Sequence, residues 1–187
     1  AKDVKIQVEF NPQQVASYRL IGYENRMLNK EDFNNDKVDA GEIGAGHTVT
    51  ALYEIVPVGI EIDQEVPAVD ELKYQPNTIR HQIAVLPSVQ AELLTLKVRA
   101  KAPDGEVSEL QTFPLTDRGE MFADASTDFK FATSVAGFGM LLRDSELRGS
   151  TDWQQVTEWA RAGLADDAGG YRNEFLGLIE KAAVLSR

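Results

Sequence analysis

The stretch Asp32–His47, DFNNDKVDAGEIGAGH, gathers carboxylates and amides at alternate positions, then three glycines, then the first of two histidines. Such residues suit two chemistries: oxygen ligation of a hard cation, or backbone cradling of a phosphate. An EF-hand loop places oxygen ligands at positions 1, 3, 5 and 12, with Gly at position 6. Asp32, Asn34 and Asp36 supply the first three. Lys37 stands where the glycine turn is required, Ile43 stands where a bidentate Glu is required, and Glu42 comes one residue early. The flanks also read as strands, so the EF-hand is rejected. An irregular calcium or small-ligand site on Asp32, Asn34, Asp36, Asp39 or Glu42 is the alternative to a solvated polar turn, in which such spacings are common. As a phosphate loop the stretch fails as well. Gly41, Gly44 and Gly46 give G-x-x-G-x-G, a strand follows instead of a helix N-terminus, and no Lys-Ser/Thr pair is present. The reading that fits is a polar connection whose glycines permit a bulge or positive φ before a long strand.

The remaining chemistry-bearing residues are scattered. His47 and His81 form a metal or acid–base pair only by folding together, since neither sits in a ligand spacing such as H-x-x-x-H. Ser88, in LPSVQ, is not in a G-x-S-x-G elbow. Thirty acidic residues guarantee accidental carboxylate pairs. Trp153 falls on a helical apolar stripe and is expected to be buried; Trp159 lies off it and is expected to be partly exposed. No catalytic residue, metal ligand or cofactor-binding residue is assigned, and no cofactor is expected.

The elements that would position these groups fall in two blocks. Val4, Ile6, Val8 and Phe10 alternate with Lys5, Gln7 and Glu9, the period of a strand with one buried face. ASYRLIGYE and HTVTALYEIVPV read as further strands, with Pro57 at the end of the latter. In ELLTLKVRAKA, Leu94, Leu96, Val98 and Ala100 are expected inside, with Thr95, Lys97, Arg99 and Lys101 outside. Pro103-Asp104-Gly105 then turns the chain into EVSELQTFPL as a hairpin partner. Between Gly59 and Ala91 the pattern is irregular, with TIRHQIAVLP as a candidate short strand. From Asp124 the period becomes helical. Phe131, Val135, Phe138 and Leu142 form one stripe, capped by Ser126 or Thr127 and ended by Gly149. Trp153, Val156, Ala160 and Leu164 form a second, opened by Ser150 or Thr151. Tyr171, Phe175, Leu178, Ala182 and Leu185 form a third. The expected class is α+β: an antiparallel β-sandwich domain over residues 1–120, then about three α-helices over residues 121–187, packed on or beside it. A sandwich of five or six strands is thin, and polypeptide upstream of the chain could add a strand or cover an edge.

Composition narrows the partners. With 43% hydrophobic and 26% charged residues in 187, the chain is of ordinary globular type. A net charge of −11 opposes phosphate backbones, so no nucleic-acid partner is expected. The absence of cysteine excludes disulfides and thiolate chemistry. No apolar run reaches the ~20 residues of a membrane helix. The opening AKDVKIQVEF has neither initiator Met nor signal peptide and reads as part of a longer protein.

The stretch VKIQVEFNPQQVASYRLIGYENRMLNKEDFNNDKVDAGEIGAGHTVTALYEIVPVG resembles the segment that follows the von Willebrand factor type A domain in a family of bacterial proteins. The resemblance continues in ELKYQP, LLTLKVRAKAPDG and DDAGGYRNEFLGLIEKA, and so covers most of the chain. It implies a C-terminal domain of unknown function, preceded in its parent by an export or lipoprotein signal and the type A domain. It also implies a periplasmic or cell-envelope location. The adhesion-site metal of such proteins belongs to the D-x-S-x-S motif of the type A domain. No such motif occurs here; DAST at Asp124 and DSEL at Asp144 do not fit it. The expectation is therefore a non-enzymatic structural and interaction module whose partners are the upstream type A domain and other proteins. The rivals are a calcium- or small-ligand-binding domain using Asp32–Glu42, and a hydrolase built on His47 or His81.

Overall fold

A computed structural model describes residues 1–22, 27–60 and 91–186. Its strands are β1 (Lys2–Phe10), β2 (Val15–Ile21), β3 (Leu52–Pro57), β4 (Glu92–Lys101) and β5 (Glu109–Thr116). Three helices follow: α1 (Thr127–Leu142), α2 (Trp153–Ala162) and α3 (Tyr171–Leu185). The class is α+β, with antiparallel strands first and helices after, as the change of hydrophobic period requires. The candidate strand TIRHQIAVLP, with His81 and Ser88, lies outside the described residues.

The strands form two sheets, and the sandwich expected from the sequence goes beyond what they show. One sheet has the order β1-β4-β5, the other pairs β2 with β3. In the second, Val58 donates its N–H to the Gln14 carbonyl at 2.9 Å and Arg19 ion-pairs with Glu54, so the two strands run in opposite directions. Pro57 closes β3, where its missing N–H leaves no ladder bond unmade. By its contacts the chain divides into two compact units. Among the described residues, the first contains β1, β4, β5 and the connection 27–48. The second contains the three helices with residues 20–22 and Val49–Tyr53.

In the first unit the faces of the sheet are the reverse of those expected. Directly opposed residues share a face, and the register pairs Ile6 with Val98, Val8 with Leu96 and Phe10 with Leu94. On the other side of β4, Leu96 pairs with Phe113 and Leu94 with Leu115. These apolar residues were the expected interior, yet none is buried. The most buried residues of this sheet are Lys5 (3% exposed) and Lys101 (6%), on the face expected outside. Alternation correctly divides the strand residues between two sides; it does not tell which side the rest of the chain covers.

The second unit is built on one small core. Val156, Ala160 and Ile179 are fully buried, with Phe138, Leu141, Trp153, Trp159, Phe175 and Leu176 packed against them. Ser126 caps α1, its Oγ accepting from Phe129 N–H at 3.1 Å. The cap of α2 is Asp152, not Ser150 or Thr151; its Oδ1 accepts from Gln155 N–H at 2.8 Å. α1 ends at Leu142, before the expected Gly149, and a short 3-10 turn (Glu146–Arg148) intervenes. The buried positions of α1 are Ser134, Gly137 and Met140, while Val135 and Leu142 of the expected stripe are exposed. α3 buries Ile179; Tyr171, Leu178 and Leu185 point outward. Gly137 explains the rotation of α1. A Cβ there would lie 2.8 Å from Val156 Cγ2, so only a glycine lets α1 approach α2 this closely.

Gly163, after the last turn of α2, is more constrained still. A Cβ there would sit 2.6 Å from Phe131 N and 2.7 Å from its Cα, both backbone atoms that cannot swing away. The Gly163 carbonyl accepts from Arg172 Nη1 at 2.6 Å. Arg172 also ion-pairs with Asp128 and lies over the Phe131 ring at 4.9 Å. One side chain of α3 thus ties the start of α1 to the end of α2. Gly163→Ala is expected to destabilise the helical unit by about 1–3 kcal/mol through this overpacking. Urea melting followed by tryptophan fluorescence measures it, and an unchanged midpoint would contradict the close approach.

Candidate functional site: a loop held by two buried lysines

The connection 27–48 starts with a 3-10 helix, Lys30–Asn34, whose one buried residue is Phe33. Its position depends on an irregularity in β1. Between Lys2 and Lys5, β1 takes three steps while β4 takes the two from Lys101 to Arg99, which is a bulge. Asp3 lies in that bulge at φ +51, a left-handed conformation that Asp tolerates better than most residues. Asp3 Oδ2 accepts from Lys101 Nζ at 2.7 Å, and its Oδ1 accepts from Ala40 N–H at 3.2 Å. The next residue, Val4, donates its N–H to the Gly41 carbonyl at 2.8 Å, which joins the loop to the strand.

The two buried lysines complete the attachment. Lys5 Nζ donates to the carbonyls of Asp32 (3.1 Å) and Asn35 (2.5 Å). Lys101 Nζ donates to the Asp36 carbonyl (2.7 Å) in addition to Asp3. Two ammonium groups therefore occupy, for the backbone oxygens of Asp32, Asn35 and Asp36, the place that a cation would take in a ligand loop. Such charge-assisted bonds are about twice as strong as neutral ones. Lys101 holds the Asp3 carboxyl below its usual range, and Asp3 in turn raises the Lys101 ammonium above its own. Asp36 is lowered chiefly by the Ser108 hydroxyl and then by the Ser108 N–H.

The residues that suggested a calcium loop do not converge. Asp32 Oδ2 accepts from Asn29 Nδ2 at 3.1 Å, Asn34 Oδ1 from Arg99 Nε at 3.1 Å, and Asp36 Oδ2 from Ser108 N–H at 3.3 Å. Among the described residues the one group of three acids with the spacing of a cation site is Asp3, Asp39 and Glu42. Their nearest oxygens lie within 4.8 Å of one another. Asp3 is already paired with Lys101, so a cation there would compete with a buried ammonium. His47 is exposed, with Nδ1 3.2 Å from the Ala45 carbonyl. Trp153 meets Phe138 edge-on at 5.9 Å, and Trp159 lies 5.7 Å from Phe122. Both indoles pack against the helical core, so neither is a free stacking platform. A shallow depression at the start of α2, lined by Ser150, Asp152, Gln154, Gln155 and Glu158, contains no imidazole.

Sequence reasoning passed over Lys5, Lys101, Asp3 and Ser108. Lysines at alternate strand positions read as solvated, and only the β1–β4 register, with its bulge, brings them beneath the loop. The consequence is a pH window. Asp3 and Asp36, depressed from 3.8, stabilise the first unit above that value, and their contribution is lost as pH falls through their folded values. Lys101, raised from 10.5, stabilises it below 10.5, and this is lost as pH rises through its folded value. Protection of the Val4 and Ile43 amides, as exchange relative to the intrinsic rate at each pH, is expected to be greatest between these limits. Asp3→Asn should remove the alkaline arm; an unaltered alkaline arm would contradict the Lys101 assignment.

The geometry defines a β-rich module with a cation-latched loop, followed by a helical unit. The chain belongs to the family of C-terminal domains of the uncharacterized protein YfbK, whose model matches residues 1–185. It is 44% identical over 182 residues to the "Uncharacterized protein YfbK" of Escherichia coli (strain K12). That match takes in 97% of this chain and 30% of the relative, so the chain spans less than a third of the relative's length. No solved structure matches. No helix among the described residues is long and apolar enough to cross a membrane.

Proposed function

We propose that this chain is a non-enzymatic structural and interaction module that flanks a von Willebrand factor type A domain in a longer bacterial protein, outside the cytoplasm. The observation that carries the reading is proportion: a family of C-terminal domains takes in nearly the whole chain, yet the chain matches only 30% of its relative. Most of such a protein is therefore something else, and the resemblance of residues 4–59 supports a type A domain as part of it. The loop supports a structural role. The carbonyls of Asp32, Asn35 and Asp36 are held by Lys5 and Lys101, which fixes the shape of the loop.

The test is made on the longer polypeptide with its type A domain attached. Small-angle scattering is expected to show the two parts moving as one body, and fractionation of cells is expected to place the protein in the envelope. Independent tumbling on a linker would overturn the supporting role, and a cytosolic protein would overturn the location. Calorimetric titration with calcium addresses the rival reading. No heat and no shift of melting temperature are expected, because Lys101 already occupies Asp3.

A further inference from the structure

The start of β1 is bonded to the loop more fully than the two lysines require. The Ala1 nitrogen donates to the Ile43 carbonyl at 3.0 Å, and Ile43 donates its N–H to the Ala1 carbonyl, also at 3.0 Å. This mutual exchange is the hydrogen-bonded pair of an antiparallel ladder. Val4 and Gly41 form a second bridge. Between the two, three steps along β1 face two along the loop, so the bulge at Asp3 is shared by both neighbours of the strand. Inside it Asp3 donates its N–H to Glu42 Oε1 at 3.4 Å. On the opposite edge Lys2 pairs with Lys101 of β4. The first residues of β1 therefore run between β4 and the segment 40–43.

These bonds bear on how the rest of the polypeptide is attached. The matched family is the C-terminal part of its protein, and the match takes in only 30% of the relative. In a polypeptide so built, the preceding part enters through Ala1, whose nitrogen is then a peptide N–H with the Ile43 carbonyl still within reach. Joined domains reorient freely only where the residues between them make few contacts. The bonding of Ala1 to Val4 leaves no such slack on this side of the junction. A displacement of the entering chain acts first on Ile43, and Ile43 belongs to a loop fastened to the sheet by Lys5 and Lys101.

We propose that residues 40–43 clamp the entering polypeptide, with Ile43 as the positioning residue, and that this clamp sets the orientation of the preceding domain relative to the sheet. The proposal rests on the flanking role and names the joint through which that role is exercised. The test is made on the longer polypeptide, with amide relaxation reading whether its parts tumble together. Ile43→Pro removes the N–H given to Ala1, and Ile43→Val keeps it. A third form inserts Gly-Ser-Gly immediately before Ala1 and changes no residue of this chain. Ile43→Pro and the insertion are each expected to bring the correlation time of the β4 and β5 amides down toward that of the chain alone. Ile43→Val is expected to leave it unchanged. In the chain alone, Ile43→Pro should leave protection of the β4–β5 ladder intact, which separates loss of the clamp from loss of the fold; where it does not, the insertion decides. Joint tumbling that survives the insertion would place the orienting contact elsewhere and overturn the clamp. Joint tumbling that survives Ile43→Pro would overturn it too. Either result sinks the clamp alone, whereas independent tumbling of the unsubstituted polypeptide would overturn the flanking role with it.

Discussion

Ile179→Ala is expected to cost the helical unit about 2–5 kcal/mol, the range for truncating a fully buried aliphatic side chain. Ile179 is completely inaccessible and meets Val156 and Ala160, which are equally buried, so the void has no route to solvent. A unit of some seventy residues is stable by only about 4–10 kcal/mol, so the loss is a large part of the total. The measurement is specific because both tryptophans, Trp153 and Trp159, lie in α2 and pack on this core. Their fluorescence during urea melting reports the helical unit without interference from the strands. Leu178→Ala is the comparison, since Leu178 is 49% exposed and its loss should stay within about 0.5 kcal/mol. Equal effects at the two positions would mean that α3 is rotated from the orientation described.

That pair of substitutions also shows how far the sequence could be read. The three helices were legible because their period and the serine cap of α1 are local signals. Their buried faces were not. The stripe through Tyr171, Phe175, Leu178 and Leu185 and the one through Ile179 differ by one residue, and α1 and α3 carry apolar residues on both. The choice is made by Gly137 and Gly163, which allow α2 to approach α1 where it does. A glycine inside or just after a helix reads in sequence as a weakness of the helix, and only the neighbour shows it to be a contact.

For the strands the failure was of another kind. Pairing of β4 with β5 followed from the Pro103-Asp104-Gly105 turn, where Gly105 N–H reaches the Ala102 carbonyl at 2.9 Å. Pairing of β1 with β4 joins residues some ninety positions apart, and no local signal announces it. The two lysines become partners of the loop only through that long-range register. The loop itself was legible as polar, as glycine-bearing and as a poor match to any ligand template. That its attachment is made by ammonium groups could not be read, because the oxygens they hold belong to the backbone and are the same in every sequence.

Phe33→Ala should therefore do to the first unit what Ile179→Ala does to the second. Phe33 is the buried residue of the 3-10 helix, 6% exposed, and Arg99 lies over its ring at 5.8 Å while bonding Asn34 through Nε. Removing the ring takes away the loop's apolar anchor and leaves a void beneath groups held otherwise by polar bonds, at a cost of about 3–5 kcal/mol. Phe33→Leu keeps most of the volume and should cost less than about 1.5 kcal/mol. The readout is amide exchange at Val4 and Ile43, whose N–H groups bond Gly41 and Ala1 carbonyls at 2.8 and 3.0 Å and so register detachment of the loop from β1. In Phe33→Ala these amides are expected to lose protection first, ahead of the β4–β5 ladder. Simultaneous loss across the sheet would mean that loop and sheet open as one unit. Full protection would mean that Lys5 and Lys101 hold the loop unaided, and the apolar anchor would then be dispensable.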